Sequence, residues 1–256
     1  QAQGYALWQE AKRDNAFARF APALQSLIDL RLEQARQLAP AERDASGQER
    51  TPVEILAQPF APDISKEALS RWLLPLRNEL PPLLERAQAL PKGSTERWDL
   101  SDQSQESLCD QLLQEWGYNP ERCYRARSPH PFSSTLGPDD FRITTRVVEG
   151  QPFSAFLATA HEWGHSLYEQ GLPRTGDHWF PWPLGEATSM AVHESQSLFY
   201  ENRLARSQAM ACRWHPRLAQ ALGEDVWGSS QGFWRDLNPN APGMTRVEAD
   251  EVSYRL

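Results

Sequence analysis

Apolar residues recur at Phe17, Phe20, Leu24, Leu27, Ile28 and Ala35 between charged ones, and this spacing predicts a core-packing helix from Asn15 to about Leu38. The next stretch, Pro40 to Asp63, carries Pro, Gly, Ser and charge without a period and reads as a long connection or surface excursion. Helical patterns resume from Ser65 to Leu80, continue from Pro81 to about Leu90, and return from Asp102 to Trp116, where Asp102 with Gln105 is placed to cap the start. The period then changes. Phe141, Ile143, Thr145 and Val147 alternate with Arg142, Thr144, Arg146 and Val148, the signature of a strand. Glu149-Gly150 turns the chain, Pro152 suits the first turn of a helix, and apolar residues from Phe153 carry that helix to Gly171, with Pro173 beyond it. A further helix is expected from about Leu184 to Ala211, and no internal repeat or low-complexity tract interrupts the pattern.

Composition narrows what such a chain does. With 256 residues, 40% hydrophobic content and ten each of Trp and Phe, it can fill a substantial core. A net charge of −8 provides no basic stripe to neutralise phosphates, so nucleic acid is not an expected partner. No apolar run approaches the roughly twenty residues that cross a bilayer, and the N-terminus lacks the segments of a signal peptide. A membrane is therefore not an expected partner either. Cys109, Cys123 and Cys212 are odd in number and widely spaced, which reads as reduced thiols in a cytoplasmic protein rather than a disulfide framework or a zinc knuckle. The chain begins with Gln1 and stops at Leu256 inside an apparently helical run, which suggests a piece of a longer protein.

The chemistry concentrates in the helix that both ends delimit. His161-Glu-Trp-Gly-His165 is an HExxH motif, whose two imidazoles project from one helical face a turn apart and suit a single zinc ion. Catalytic zinc typically takes three protein ligands and lowers the pKa of a water in the fourth position. Glu162, next to the first ligand, is placed as general base. The five letters alone also fit two polar residues on an exposed helix face. Gly164 is compatible with close approach of another backbone or of substrate. A third His ten residues after the first is absent, since that position is Gly171, which excludes the metzincin arrangement. Asp177, His178, Glu186, His193 and Glu194 remain as third ligands. Helical spacing with Met190 and Leu198 favours Glu194, and His178 is the runner-up.

Several separate blocks, in the same order, resemble the carboxypeptidase Taq family of metallocarboxypeptidases: His130-Pro-Phe132, Asp140-Phe-Arg-Ile-Thr144, His161-Glu-Trp-Gly-His165 followed by Leu167-Tyr-Glu-Gln-Gly-Leu172, His193-Glu-Ser-Gln196, and Arg246-Val-Glu-Ala-Asp250. Weaker likeness at Trp8-Gln-Glu-Ala and Phe17-Ala-Arg-Phe-Ala-Pro22 extends the resemblance over the whole chain. It implies a mainly α, gluzincin-like HExxH fold with a small β-sheet beside a deep groove. Residues 1–256 would form a single catalytic domain, with a helical part over 1–125 and a metal-site part over 126–256. It further implies a homodimer that releases single residues from peptides with a free C-terminus, with broad tolerance, using zinc or else cobalt or manganese. Carried onto this sequence, the resemblance makes His161, His165 and Glu194 the ligands and Glu162 the base. It also makes Arg142 and Arg246 candidates for holding the substrate backbone or terminal carboxylate, and His130, ordering a loop beside the groove rather than binding metal, a further substrate-binding candidate.

For the two arginines an ordinary ion pair, such as Arg142 with Asp139 or Asp140, is the competing reading. The chain departs from the family in having Thr245 before the Arg, where Ile is usual, and in ending before later family blocks that complete the substrate groove. Losing an oxyanion donor costs roughly 2.7 to 4 kcal/mol, so a chain without those blocks is expected to hold metal but turn over poorly. The alternatives are a metal- or peptide-binding fragment without catalysis, and an HExxH endopeptidase or aminopeptidase.

Overall fold

The structure, a computed structural model, describes residues 2–39, 47, 49–60, 65–89 and 99–239. The chain divides into two compact units, Gln1–Trp72 and Leu73–Leu256, and the boundary falls within a helix.

In the first unit α1 (Ala2–Arg13) packs on α2 (Phe17–Leu38). The turn between them closes at Asn15, whose φ of 48° lies in the left-handed region that Asn tolerates better than most residues. The predicted helix is therefore present, and its predicted stripe is covered only in part: Ala35 is buried and Phe20, Leu24 and Leu27 are half-buried, whereas Phe17 and Ile28 are exposed. The supposed connection contains α3 (Pro52–Ala57), which starts with a capping box. Thr51 donates its backbone N–H to Glu54 at 2.8 Å, and Glu54 returns its own N–H to Thr51 Oγ1. Pro52 occupies the first turn, where its missing N–H costs nothing. The helical pattern after Ser65 forms one helix, α4 (Lys66–Gln88), through Pro75, Pro81 and Pro82.

The second unit is built around two layers that meet on one helix. α5 (Asp102–Glu115) leads to a three-stranded sheet of order β1-β3-β2, made of β1 (Cys123–Arg127), β2 (Ser133–Gly137) and β3 (Asp140–Thr145). β3 pairs parallel with β1, Cys123 opposite Phe141, and antiparallel with β2, Ser133 opposite Ile143. α6 (Ser154–Gly171) follows, then a one-turn 3₁₀ helix Pro183–Gly185, α7 (Met190–Leu198), a π-helical segment Phe199–Ala205, α8 (Gln208–Leu222) and α9 (Ser230–Leu237). Phe156 and Ala160 of α6 join Leu108 and Leu112 of α5, Trp214 and Leu218 of α8, and Phe233 of α9 in one core cluster. Trp163, fully buried, joins Phe141, Ile143, Leu113 and Cys123 in the other and donates its indole N–H to Trp116 O at 3.0 Å. The HExxH helix is thereby held from two sides.

Three sequence expectations shift here. The cap of α5 is Ser101, whose hydroxyl accepts from Ser104 N, while Asp102 lies inside the helix and pairs with Arg127. The strand stops at Thr145, short of Val148, and the Thr145 hydroxyl donates to Ala155 O at 3.0 Å and accepts from Thr159 at 3.1 Å, tying β3 to α6. The single helix expected over Leu184–Ala211 is broken: Ser189 caps a new start for α7, and Ser207 caps another for α8. Among the described residues the cysteines are free, Cys109 and Cys123 buried and Cys212 exposed, and no helix is long and apolar enough to cross a membrane.

Candidate metal centre

α6 presents His161, His165 and Glu169 at intervals of four residues along one face, while Trp163 points to the sheet cluster. Across from that face lies α7. A methyl group on Gly164 would sit 2.8 Å from Ser197 Cα and 2.9 Å from Gln196 O, so the missing side chain is what lets the two helices approach. The approach brings Glu194 against the histidines. His165 Nε2 is 3.2 Å from Glu194 Oε2, His161 Nε2 is 3.9 Å from Glu194 Oε1, and one ligand atom from each residue falls within 4.8 Å of the others. Two imidazoles and one carboxylate, partly buried and converging, fit a divalent metal of the zinc class.

The histidines' other nitrogens are also engaged. His161 Nδ1 lies 3.0 Å from Glu201 Oε2 on the π-helical segment, and Arg206 Nη2 lies 3.4 Å from Glu201 Oε1. His165 Nδ1 lies 2.6 Å from His193 Nδ1, and His193 Nε2 lies 2.8 Å from Glu169 Oε1. Arg174, just beyond α6, reaches Glu169 Oε2 at 3.4 Å.

Burial and charge set the protonation of this group. Glu162 is buried, and its carboxyl is pushed up to about 7, chiefly by desolvation, with the charges of Glu194 and Glu201 adding and those of His161 and His193 opposing. For His161 the largest influence, burial, acts downward but is outweighed by the hydrogen bond to Glu201 and the carboxylates of Glu162, Glu201 and Glu194, so its value is raised. Burial holds His165 below the ordinary range. Glu194 is held low by its hydrogen bond with His165, and Glu169 by its hydrogen bond with His193.

The remaining candidates are dispersed. Arg142 is exposed on β3 and donates from Nε and Nη2 to the two oxygens of Asp140, each at 2.8 Å. His130 lies in the loop between β1 and β2, its carbonyl accepting from Ser128 Oγ at 2.6 Å. That loop covers β3 at Thr144, whose hydroxyl accepts from Phe132 N. Arg246 lies outside the described residues. His178 packs edge-on to Trp179, and Asp177 accepts from Trp179 N, so neither joins the group around His161.

Glu169, Glu201, Arg174 and Arg206 were not anticipated. Two of them had a signal: Glu169 continues the four-residue spacing of His161 and His165, and Glu201 follows Glu194 by seven residues, two helical turns.

The family model for carboxypeptidase Taq (M32) metallopeptidases matches residues 1–256. Thermostable carboxypeptidase 1 of Thermus thermophilus is 34% identical over 100% of this chain and 50% of its own length, and carboxypeptidase 1 of Bacillus subtilis is 31% identical over 97% and 48%. The crystal structure of the M32 carboxypeptidase from Deinococcus radiodurans R1 superposes with a TM-score of 0.81 at 30% identity, covering 99% of this chain and 49% of that one. Metallocarboxypeptidase 1 of Trypanosoma cruzi gives 0.79 at 30% identity, with 99% and 50% coverage. The chain thus spans about half the length of the relatives it matches.

Proposed function

Because this chain belongs to the carboxypeptidase Taq (M32) family of metallopeptidases, we propose that it carries the catalytic metal site of a carboxypeptidase that releases single residues from the free C-terminus of peptides with broad side-chain tolerance. The observation that carries the reading is the convergence of His161, His165 and Glu194 beside a buried Glu162. When bound there, a divalent ion supplies Lewis acidity: it acidifies a coordinated water and polarises a peptide carbonyl. Zinc suits the donor set best, with cobalt or manganese as substitutes.

The chain's own residues supply the rest. Glu162 takes a proton from the attacking water and passes it to the leaving amine, a task that favours a carboxylate whose pKa lies near neutrality. The Trp163 cluster and the tie from Thr145 to Ala155 keep α6 in place while α7 presents Glu194. Arg246 and Arg142 are the candidates to read the terminal carboxylate, and Arg142 already gives two donors to Asp140, which favours Arg246. His130 orders its loop rather than touching metal. The resemblance to the family supports a homodimer, and cysteines that form no disulfide among the described residues support a cytoplasmic location.

The convergence of two histidines and one carboxylate is met equally by one second reading, a site that binds metal without turnover. Mass spectrometry of a mixed peptide pool incubated with the chain and zinc or cobalt, with a chelator control, separates the two. Chelator-sensitive ladders shortened from the C-terminus support the carboxypeptidase, and metal retention without any cleavage supports the second reading. Internal cuts or shortening from the N-terminus would reject both.

A further inference from the structure

A histidine binds a metal through one ring nitrogen, and the hydrogen bond at the other nitrogen decides which one is free to do so. At His161 the partner is direct. The Glu201 carboxylate only accepts, so His161 Nδ1 carries the proton and Nε2, on the Glu194 side, keeps its lone pair. Glu201 is itself held by Arg206, whose Nη1 donates to Leu237 O at 2.8 Å and so connects the site to the end of α9.

At His165 the arrangement is indirect. Two ring nitrogens 2.6 Å apart share one proton, so one donates and the other accepts. His193 Nε2 faces the Glu169 carboxylate, which requires a proton on that nitrogen and leaves the Nδ1 of a neutral His193 bare. The donor is then His165 Nδ1, and His165 Nε2, the atom nearest Glu194, is free for metal. Only this order of protons satisfies both contacts with His165 as an Nε2 ligand.

We propose that Glu201 and the His193–Glu169 pair are positioning residues that fix the tautomer and ring orientation of the two imidazole ligands, one through a direct carboxylate and the other through a neutral histidine relay. His193 is thus assigned to holding a ligand and not to being one. The inference rests on reading this cluster as a metal site, and it extends the site from three residues to six, on α6, α7 and the π-helical segment.

The test uses zinc affinity of the whole chain, measured by competition with a chromophoric chelator, with the melting midpoint of the metal-free protein recorded beside it. Glu201→Leu and His193→Leu are expected to weaken zinc binding about 10- to 100-fold. His193→Gln should recover part of the loss, because its amide oxygen accepts where Nδ1 did and its amide N–H donates to Glu169. Glu201→Gln should likewise bind better than Glu201→Leu. Imidazole ¹⁵N shifts of the zinc-loaded wild type should show Nδ1–H on His165 and Nε2–H on His193.

Leucine variants that bind zinc as tightly as wild type would overturn the inference. So would glutamine variants no better than leucine with losses that track the melting midpoint, or an Nδ1–H tautomer at His193. Wild type that fails to bind zinc would overturn the metal-site reading itself, and this inference with it, which distinguishes the two failures.

Discussion

Glu162 sits where burial and chemistry act together, because the same desolvation that raises its carboxyl to about 7 keeps it suited to exchange a proton near neutral pH. Replacing it by Gln should abolish peptide cleavage while zinc content stays stoichiometric, and loss of zinc in that variant would contradict its assignment as base. The same group also makes a stability prediction for the metal-free protein. The folded state holds this proton up to about pH 7, whereas the unfolded chain releases it near the ordinary value of 4.5, so the group's stabilisation is full below about 4.5 and lost as pH rises through about 7. Urea midpoints of chelator-treated wild type should therefore fall relative to Glu162→Gln between pH 4.5 and 8. A difference between the two proteins that stays constant with pH would show that Glu162 does not titrate in this range. Gly164 is the other decisive residue. Its missing side chain sets the spacing of α6 and α7, so Gly164→Ala should cost about 1 to 3 kcal/mol in urea unfolding and weaken zinc binding as Glu194 is pushed from the histidines. Normal zinc affinity in a destabilised Gly164→Ala protein would mean that the site tolerates the displacement.

Several helices in this chain start where short polar side chains meet unpaired backbone N–H groups, whereas α2 and α6 start without a side-chain cap. Ser101, Ser189, Ser207 and Ser229 each accept from the backbone N–H three residues on, at the starts of α5, α7, α8 and α9. Sequence reasoning placed the first of these caps one residue late, at Asp102, because Asp with Gln three residues on also fits a capping pattern. A pair of variants separates the two positions: Ser101→Ala should cost about 1 kcal/mol, while Asp102→Ala, which loses a pair with half-exposed Arg127, should cost well under that. Thermal or urea unfolding of both reads the difference, and the reverse order would return the cap to Asp102. The short strands β1 and β2 escaped notice for a related reason. β1 reads Cys-Tyr-Arg-Ala-Arg, and its arginines are matched by Glu106, Asp110 and Asp102 of α5, so it shows no apolar alternation. β2 reads Ser-Ser-Thr-Leu-Gly, a turn-like composition that becomes a strand by pairing with β3.

For the molecule as a whole, metal binding and folding are linked. A ligand that binds only the folded state stabilises it by about 2.7 kcal/mol at a hundred times its dissociation constant. Added zinc should therefore raise the melting midpoint of this chain by several degrees, and excess chelator should return it to the starting value. No shift at saturating zinc would mean that the ligands do not form the site in the folded protein. The same expectation covers cobalt and manganese, with smaller shifts for weaker binding at equal concentration.

Periodicity within one element was enough to identify the helix that carries His161, Glu162 and His165, to bound it with Gly171 and Pro173, and to favour Glu194 on the next helix. These features are legible because they depend on residues three or four apart, whose relative positions follow from helical geometry alone. What lies between elements was not legible. His161 meets Glu201 forty positions away, His165 meets His193 twenty-eight away, and β1 is held by acids fifteen to twenty-five positions upstream. Such contacts depend on how helices approach, and here that approach rests on Gly164 against Ser197 and on Trp163 against the sheet. The sequence by itself thus determined that His161 and His165 share one helical face and favoured Glu194 among several open third ligands, and only the tertiary structure brought these three together and decided which nitrogen of each histidine faces Glu194, because a proton partner is chosen by packing and not by spacing.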